Sequence, residues 1–495
     1  MTTFTAELRL QGSAGILDYL VGAYYANEDI VEQASLTLGP DFQRIVGQAN
    51  FGAVLGPLAP QLLGLVAQSG AYLNSVIAGS PDPTIFATPI SADNSYALNR
   101  YEQNGRSWSI FTHNIVSVTD EFKVTVGARY VDDKKDGSYD QLAASNQACL
   151  AGLTLAGTPQ ATAFAALEPI LGTAVAGALS TPALNGPAAF INCFPFAAPA
   201  LGVSFLPREF DLTFKDDEFI YTGQLSWEPN PDMLIYGSFT HGYKAGGFNL
   251  DATAAASGGD PRFRSEEIDA YELGVKTTIL DGRGRANFAF FYNELANFQV
   301  LEFTGTQFQT FNVDDVTAKG VEAELFAQWN PNISTSLSAT YTDAKYGADC
   351  DAAFVAAGGP NPALELCGTQ LTNAPKLTAV AGITYDGPIS SGIGWDFLAN
   401  VNVRYESERR TSTKGYIAGS TTQRIPFDFQ DANFKINARI GFSSPDDAYT
   451  IEVWGQNLTN QITRSITFNT PLIAGGRSAF IEDPRTYGVT LRSRF

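Results

Sequence analysis

The chain has 495 residues, of which 44% are hydrophobic, 12% aromatic and only 17% charged, against about 25% charged in ordinary soluble proteins. A net charge of −20, with no basic stripe to offset it, excludes nucleic acid as a partner. No run of roughly 18 apolar residues occurs, so a membrane-crossing helix is not expected.

Taken in chain order, strand-like segments fall at 4–11, 16–28, 105–118, 121–135, 216–228, 232–243, 266–280, 284–303, 308–329, 332–345, 375–386, 394–408, 431–443, 448–459 and 485–495. Most are about 9–14 residues long, the reach a tilted strand needs to cross a bilayer. Their side chains alternate with period two. Phe219, Tyr221, Gly223, Leu225 and Trp227 interleave with Ile220, Thr222, Gln224, Ser226 and Glu228. Likewise Trp395, Phe397, Ala399, Val401, Val403 and Tyr405 interleave with Asp396, Leu398, Asn400, Asn402, Arg404 and Glu406. Because successive side chains of a strand point to opposite faces, such segments build one greasy surface and one hydrated surface.

The connections alternate in length. Short turns at 12–15, 119–121, 229–232, 281–284, 330–332, 389–394 and 443–447 face long connections at about 30–94, 137–215, 244–264, 346–373 and 409–430. Short turns on one rim and long loops on the other is the plan of an outer-membrane barrel, so the fold class expected is all-β, a transmembrane antiparallel β-barrel. A soluble sandwich or propeller has no reason to sort its loops this way. The count of about 15 strands is odd, which is awkward for a single-chain bacterial barrel. Residues 1–10 also carry no charged and apolar leader. Both point to barrel sequence preceding Met1.

No GxSxG, HExxH, phosphate-loop or paired-histidine motif occurs, so no catalytic residue, metal site or cofactor is expected. His241 reads as a rim or interface residue. The four cysteines, Cys149, Cys193, Cys350 and Cys367, allow three pairings. In an oxidising compartment the two sequence-local bridges, Cys149–Cys193 and Cys350–Cys367, are favoured. The last segment alternates Tyr487, Val489, Leu491 and Phe495 with polar residues and ends on an aromatic carboxy-terminus, which resembles the signal read by the machinery that assembles outer-membrane barrels.

Several local sequences resemble the barrel of TonB-dependent receptors. LIYGSFTHGYKAGGFN at 234–249, ELGVKTT at 272–278, LDGR at 280–283 and NFAFFY at 287–292 resemble its middle hairpins. NVDDVTAKGVEAE at 312–324 resembles a later strand entry, and WGQNLTN at 454–460 with RTYGVTLRSRF at 485–495 resemble its closing strands. ELRL at 7–10 and LDYLVGAYY at 17–25 look like a pair from within such a barrel. The resemblance implies residues 1–495 as a partial barrel domain, about 15 strands of a barrel of about 22, with plug and first strands absent. It implies a bacterial outer-membrane location, with lipid, lipopolysaccharide and the barrel-assembly machinery as partners, and TonB only through the missing plug. It further implies receptor-mediated uptake of a scarce ligand, a ferric siderophore before a vitamin or glycan. A plugless, porin-like passive channel is the alternative. Tyr243, Phe248, Phe263 and Phe308 are candidates to stack on a ligand, unless they belong to the interfacial aromatic girdle. Arg409 and Arg410, with Lys414, are candidates to meet an anionic ligand, unless they contact lipopolysaccharide or only solvent.

Overall fold

The computed structural model describes residues 1–495 except 93–94, 194–208, 251–259, 304–307, 350–365, 390–393, 414, 418–419, 421, 447, 472, 474 and 495. Fifteen strands form one antiparallel meander: β1 (Thr2–Ala14), β2 (Leu17–Thr37), β3 (Tyr96–Ser117), β4 (Phe122–Ser145), β5 (Phe210–Asn230), β6 (Met233–Lys244), β9 (Glu266–Ile279), β10 (Gly284–Ala296), β13 (Val316–Asn330), β14 (Ile333–Tyr346), β15 (Leu377–Pro388), β16 (Asp396–Glu406), β19 (Asn433–Ser443), β20 (Tyr449–Gln456) and β23 (Thr486–Ser493). Four two-stranded hairpins stand apart from it: β7 (Gly247–Phe248) with β8 (Arg262–Phe263), β11 (Phe298–Phe303) with β12 (Phe308–Val313), β17 (Arg409–Arg410) with β18 (Phe429–Gln430), and β21 (Arg464–Asn469) with β22 (Arg477–Ile481). Each lies in a long connection, so all four gather at one rim. The edges of the large sheet are β1 and β23.

The period-two pattern decides the faces. Leu225, Trp227, Leu273, Phe290, Val401, Ile440 and Val453 are large apolar side chains left exposed on the wall, an arrangement that water disfavours and hydrocarbon accepts. Directly paired residues share a face, so aromatic rows form across strands. Phe239 meets Tyr221 at 5.7 Å and Tyr271 at 4.8 Å, and Phe397 meets Phe442 at 5.3 Å. Gly320 shows how closely the backbones approach. A Cβ there would sit 2.0 Å from the Tyr341 carbonyl oxygen and 2.7 Å from the Phe291 ring, so the Phe291 ring lies where a larger residue would stand.

Two expected strands are shorter than the alternation suggests. The segment read as 284–303 leaves the wall at Ala296, and the one read as 308–329 enters it only at Val316. Asn297 (φ 52°) and Asp315 (φ 59°) take left-handed backbone, which turns the chain, and the intervening residues pair with each other as β11 and β12.

The connections expected at 30–94 and 137–215 are not plain loops. Strands β2 to β5 run 21 to 24 residues, well past the bilayer requirement of about 9–11. Among the described residues they carry six α-helices: α1 (Phe42–Leu55), α2 (Ala59–Ile77), α3 (Gln147–Gly157), α4 (Gln160–Leu171), α5 (Thr173–Ser180) and α6 (Pro182–Cys193). Residues 42–77 are helical and apolar enough to cross a membrane by length and composition, against the expectation from apolar runs. Gln43, Gln68, Ser69 and Gly70 interrupt the run and are themselves buried, with Gln68 donating to the Ile85 and Thr88 carbonyls. Leu62, Leu63, Val66 and Leu73 of α2 instead pack with Val46, Leu155, Leu167 and Ile191 in a separate core. Asn192 ties that core together, donating to the Leu63 carbonyl (2.9 Å) and accepting from Gln43 (2.8 Å). The Cys149–Cys193 disulfide closes the cap across 44 residues.

Candidate functional site

The four hairpins interlock into one layer at the rim. The Asn249 side chain beside β7 donates to the Thr310 carbonyl (2.8 Å) and accepts from the Thr310 amide (2.6 Å), which joins β7 to β12. Asn312 of β12 accepts from the Arg264 amide (2.7 Å) and donates to the Arg264 carbonyl (2.9 Å). Thr413 donates to the Leu301 carbonyl of β11 (3.2 Å). The Thr467 amide of β21 donates to the Thr411 carbonyl (2.9 Å). Saturating backbone polar groups with Asn and Thr side chains is what lets irregular chain stand still here.

Beneath that layer runs a chain of alternating charges. Arg409 is 7% exposed. It donates to Glu482 (2.8 Å) and to the Arg464 carbonyl (3.1 Å), and it lies 3.7 Å from Glu406. Glu406 also pairs with Arg404, and Glu482 also accepts from Lys435 (2.5 Å) and Thr463 (2.8 Å). Burial alone would raise the Glu482 carboxyl, but the hydrogen bonds from Lys435 and Thr463 and the charges of Lys435 and Arg409 hold it below its ordinary value. Arg410 is 2% exposed. It donates to Thr369 (3.0 Å) and lies over the rings of Tyr416 (5.8 Å) and Tyr346 (5.9 Å).

A cavity of about 570 Å³ opens between these hairpins. Phe303, Phe308, Tyr416, Phe468 and Phe480 line it, with Arg477 as its cation. Phe303 meets Phe308 at a tilt (4.9 Å) and Phe468 edge to face (5.8 Å). Arg477 is held by Asn469 (2.7 Å) and by Asp428 (3.3 Å). Asp428 is fully buried, and burial pushes its carboxyl above the ordinary value.

Of the residues singled out in the sequence, Phe308 lines this cavity and is 56% exposed. Arg409 and Arg410 are buried and do not line it; Arg409 is paired with Glu482, and Arg410 lies against the Tyr346 and Tyr416 rings. Lys414 lies outside the described residues. Phe248 is buried and stacks on Phe210 (6.2 Å). Phe263 pairs with Gly247 in the β7–β8 hairpin, and the Tyr243 hydroxyl lies 3.4 Å from the Ser265 hydroxyl. These three brace the rim away from the cavity. Cys367 is disulfide-bonded and buried, while Cys350 lies outside the described residues. Tyr487, Val489 and Leu491 are exposed along edge strand β23, and Phe495 lies outside the described residues. Arg477, Phe468 and Phe480 were not expected from the sequence, because β21 and β22 fall in the connection between the last two expected strands. Alternation in Ile466–Phe468 and in the RSAFI of 477–481 was the available signal.

A family model described as "TonB dependent receptor-like, beta-barrel" matches residues 2–458. Among solved structures, the chain is similar to the ferric yersiniabactin uptake receptor FyuA from Yersinia pestis, at 15% identity and TM-score 0.62, over 100% of this chain and 54% of that one. It is similar to the siderophore receptor PiuA from Acinetobacter baumannii, at 15% identity and TM-score 0.56, over 99% and 55%. The Escherichia coli ferric-catecholate import receptor Fiu matches at 12% identity and TM-score 0.54, over 100% and 54%. The chain therefore spans about half the length of the structures it matches.

Proposed function

The chain belongs to the TonB-dependent receptor β-barrel family, whose members are bacterial outer-membrane proteins, and on that premise we propose that it forms the wall and loop rim of an uptake receptor for a ferric siderophore. The observation that carries this reading is the rim cavity. Its volume lies within the range of about 300–1,000 Å³ typical of small-molecule sites. Five aromatic rings offer stacking surface to a planar chelate, and Arg477 offers a charge to an anionic one. Of the residues expected to touch ligand, Phe308 does so in this reading, while Arg409 and Arg410 hold the hairpins that frame it. Release inward is driven by TonB acting on a plug seated within the barrel. Wall contacts are with lipid and lipopolysaccharide, and the exposed Tyr487, Val489 and Leu491 of β23 are the strand read by the assembly machinery.

The names of the similar structures supply the ligand class to test. Catecholate, hydroxamate and carboxylate ferric siderophores are titrated into the detergent-solubilised chain, with tryptophan fluorescence as the readout. Saturable binding of at least one ferric complex at micromolar concentration or below is expected. Failure of every complex to bind, together with normal growth on each iron source after gene deletion, overturns the reading.

A further inference from the structure

Away from the rim cavity, His241 sits at a break in the wall. Strands β5 and β6 pair as far as Tyr221↔His241 and no further, although β5 continues alongside β4 to Phe210 and β6 continues alongside β9 to Lys244. The sheet therefore splits at this histidine. Its register partner on the other side is Asp269, and His241 Nδ1 lies 2.7 Å from Asp269 Oδ1. An ionised carboxylate only accepts, so Nδ1 carries a proton, which leaves Nε2 as the atom a metal ion would take from a neutral ring. That edge faces Glu218 of β5, with Nε2 3.8 Å from Oε1. Glu267 of β9 completes the group: one donor atom from each of Glu218, His241 and Glu267 lies within 4.8 Å of the others. The imidazole is 15% exposed and the Glu218 side chain 27%. Among the described residues, neither Glu218 nor Glu267 is paired with a lysine or arginine within 4 Å.

We infer that Glu218, His241 and Glu267 bind a divalent transition-metal ion, of which Zn²⁺ is the best fit. One imidazole and two carboxylates from three strands form a three-ligand set with a position left for water. Asp269 is the outer carboxylate that fixes the ring orientation and tautomer, as it does behind most metal-bound histidines. Metal–ligand distances of about 2.0–2.2 Å require the set to contract by roughly 1 Å from its present spacing, a side-chain adjustment available at a split edge. The ion neutralises two facing carboxylates and staples β5 to β6 and β9 where main-chain pairing has stopped.

Calorimetric titration of Zn²⁺ into the chelator-treated full chain in detergent tests this, with Co²⁺ absorption as the spectroscopic readout. One ion per chain is expected, together with a rise in thermal midpoint that chelator reverses. His241→Ala and Glu267→Gln each weaken binding at least tenfold and abolish the thermal shift. Asp269→Asn, which keeps all three ligands, weakens it by about 10–100-fold. Absence of stoichiometric binding, or binding unchanged in both His241→Ala and Glu267→Gln, overturns the assignment. The Glu267→Gln chain keeps the test decisive should the histidine variant misfold.

Discussion

Arg409 and Glu482 meet at 2.8 Å across 73 residues of sequence, and this contact joins the β17–β18 hairpin to the return leading into the last strand. Both ends of the pair are shared, Arg409 with the Arg464 carbonyl and Glu482 with Lys435, so it fastens two hairpin connections to each other and to wall strand β19. Arg409→Ala removes a buried cation and leaves Glu406 and Glu482 short of a partner. The expected cost is on the order of 3 kcal/mol. It reads out as faster proteolysis of the 409–482 connections with unchanged heat-modifiable migration of the barrel.

The pH dependence of the same clamp has a definite sign. The Glu482 carboxyl is held below its ordinary value of 4.5 in the folded chain, so its contribution is complete above that value and is lost as pH falls through the folded one. Thermal scans of wild type and Glu482→Gln from pH 7 downward are expected to differ by a constant amount at pH 6–7 and to converge in acid. A difference that grows in acid contradicts the assignment.

Reduction opens the helical cap and leaves the wall intact. The Cys149–Cys193 bridge closes 44 residues, worth about 4 kcal/mol in the chain-entropy model, and of the α3–α6 side only Leu155, Leu167, Leu179 and Ile191 bring large buried side chains to the cap core, beside Ala163, Ala176 and Ala188. Cys149→Ser or dithiothreitol is expected to expose 147–193 to protease while far-ultraviolet circular dichroism keeps its strand signal. Equal resistance with and without reductant contradicts this.

The wall was legible in sequence and the rim largely was not, for a physical reason. A lipid-facing strand is specified by its own period-two pattern, so Phe219–Trp227 and Phe397–Tyr405 could be read without their partners, and the fifteen-strand count follows. The exits at Asn297 and Asp315 are single left-handed residues inside a continuing alternation, which hides them in the sequence. The cap escaped because Ala- and Pro-rich 147–193 looks like loop, although Ala59, Leu62, Leu63, Val66 and Leu73 of α2 repeat at helical spacing. Arg409 and Arg410 illustrate the deepest limit. Two adjacent arginines in a loop look solvated, and their burial depends on the distant Glu482 and Thr369 as well as on the nearby Tyr416.

Within the cavity, Phe308 gives the cleanest probe of ligand contact. Its ring is more than half exposed, so Phe308→Ala leaves the fold unstrained while removing one face of the aromatic lining. Affinity for the ferric siderophore that binds best is expected to fall about tenfold, or roughly 1.4 kcal/mol. Phe248→Ala removes a buried ring and is expected to lower the thermal midpoint instead, with little direct effect on affinity. Equilibrium titrations and melts on the two variants separate ligand contact from bracing.

Which face of the strands meets hydrocarbon decides whether they form a membrane wall. Spin labels placed singly at Val401, Val403, Asn400 and Asn402 of the bilayer-reconstituted chain measure it, through collision with dissolved oxygen against a water-soluble nickel chelate. Oxygen is expected to dominate at 401 and 403 and the nickel chelate at 400 and 402, in strict alternation. Equal nickel accessibility at all four positions would mean that both faces meet water, and a membrane wall would be contradicted.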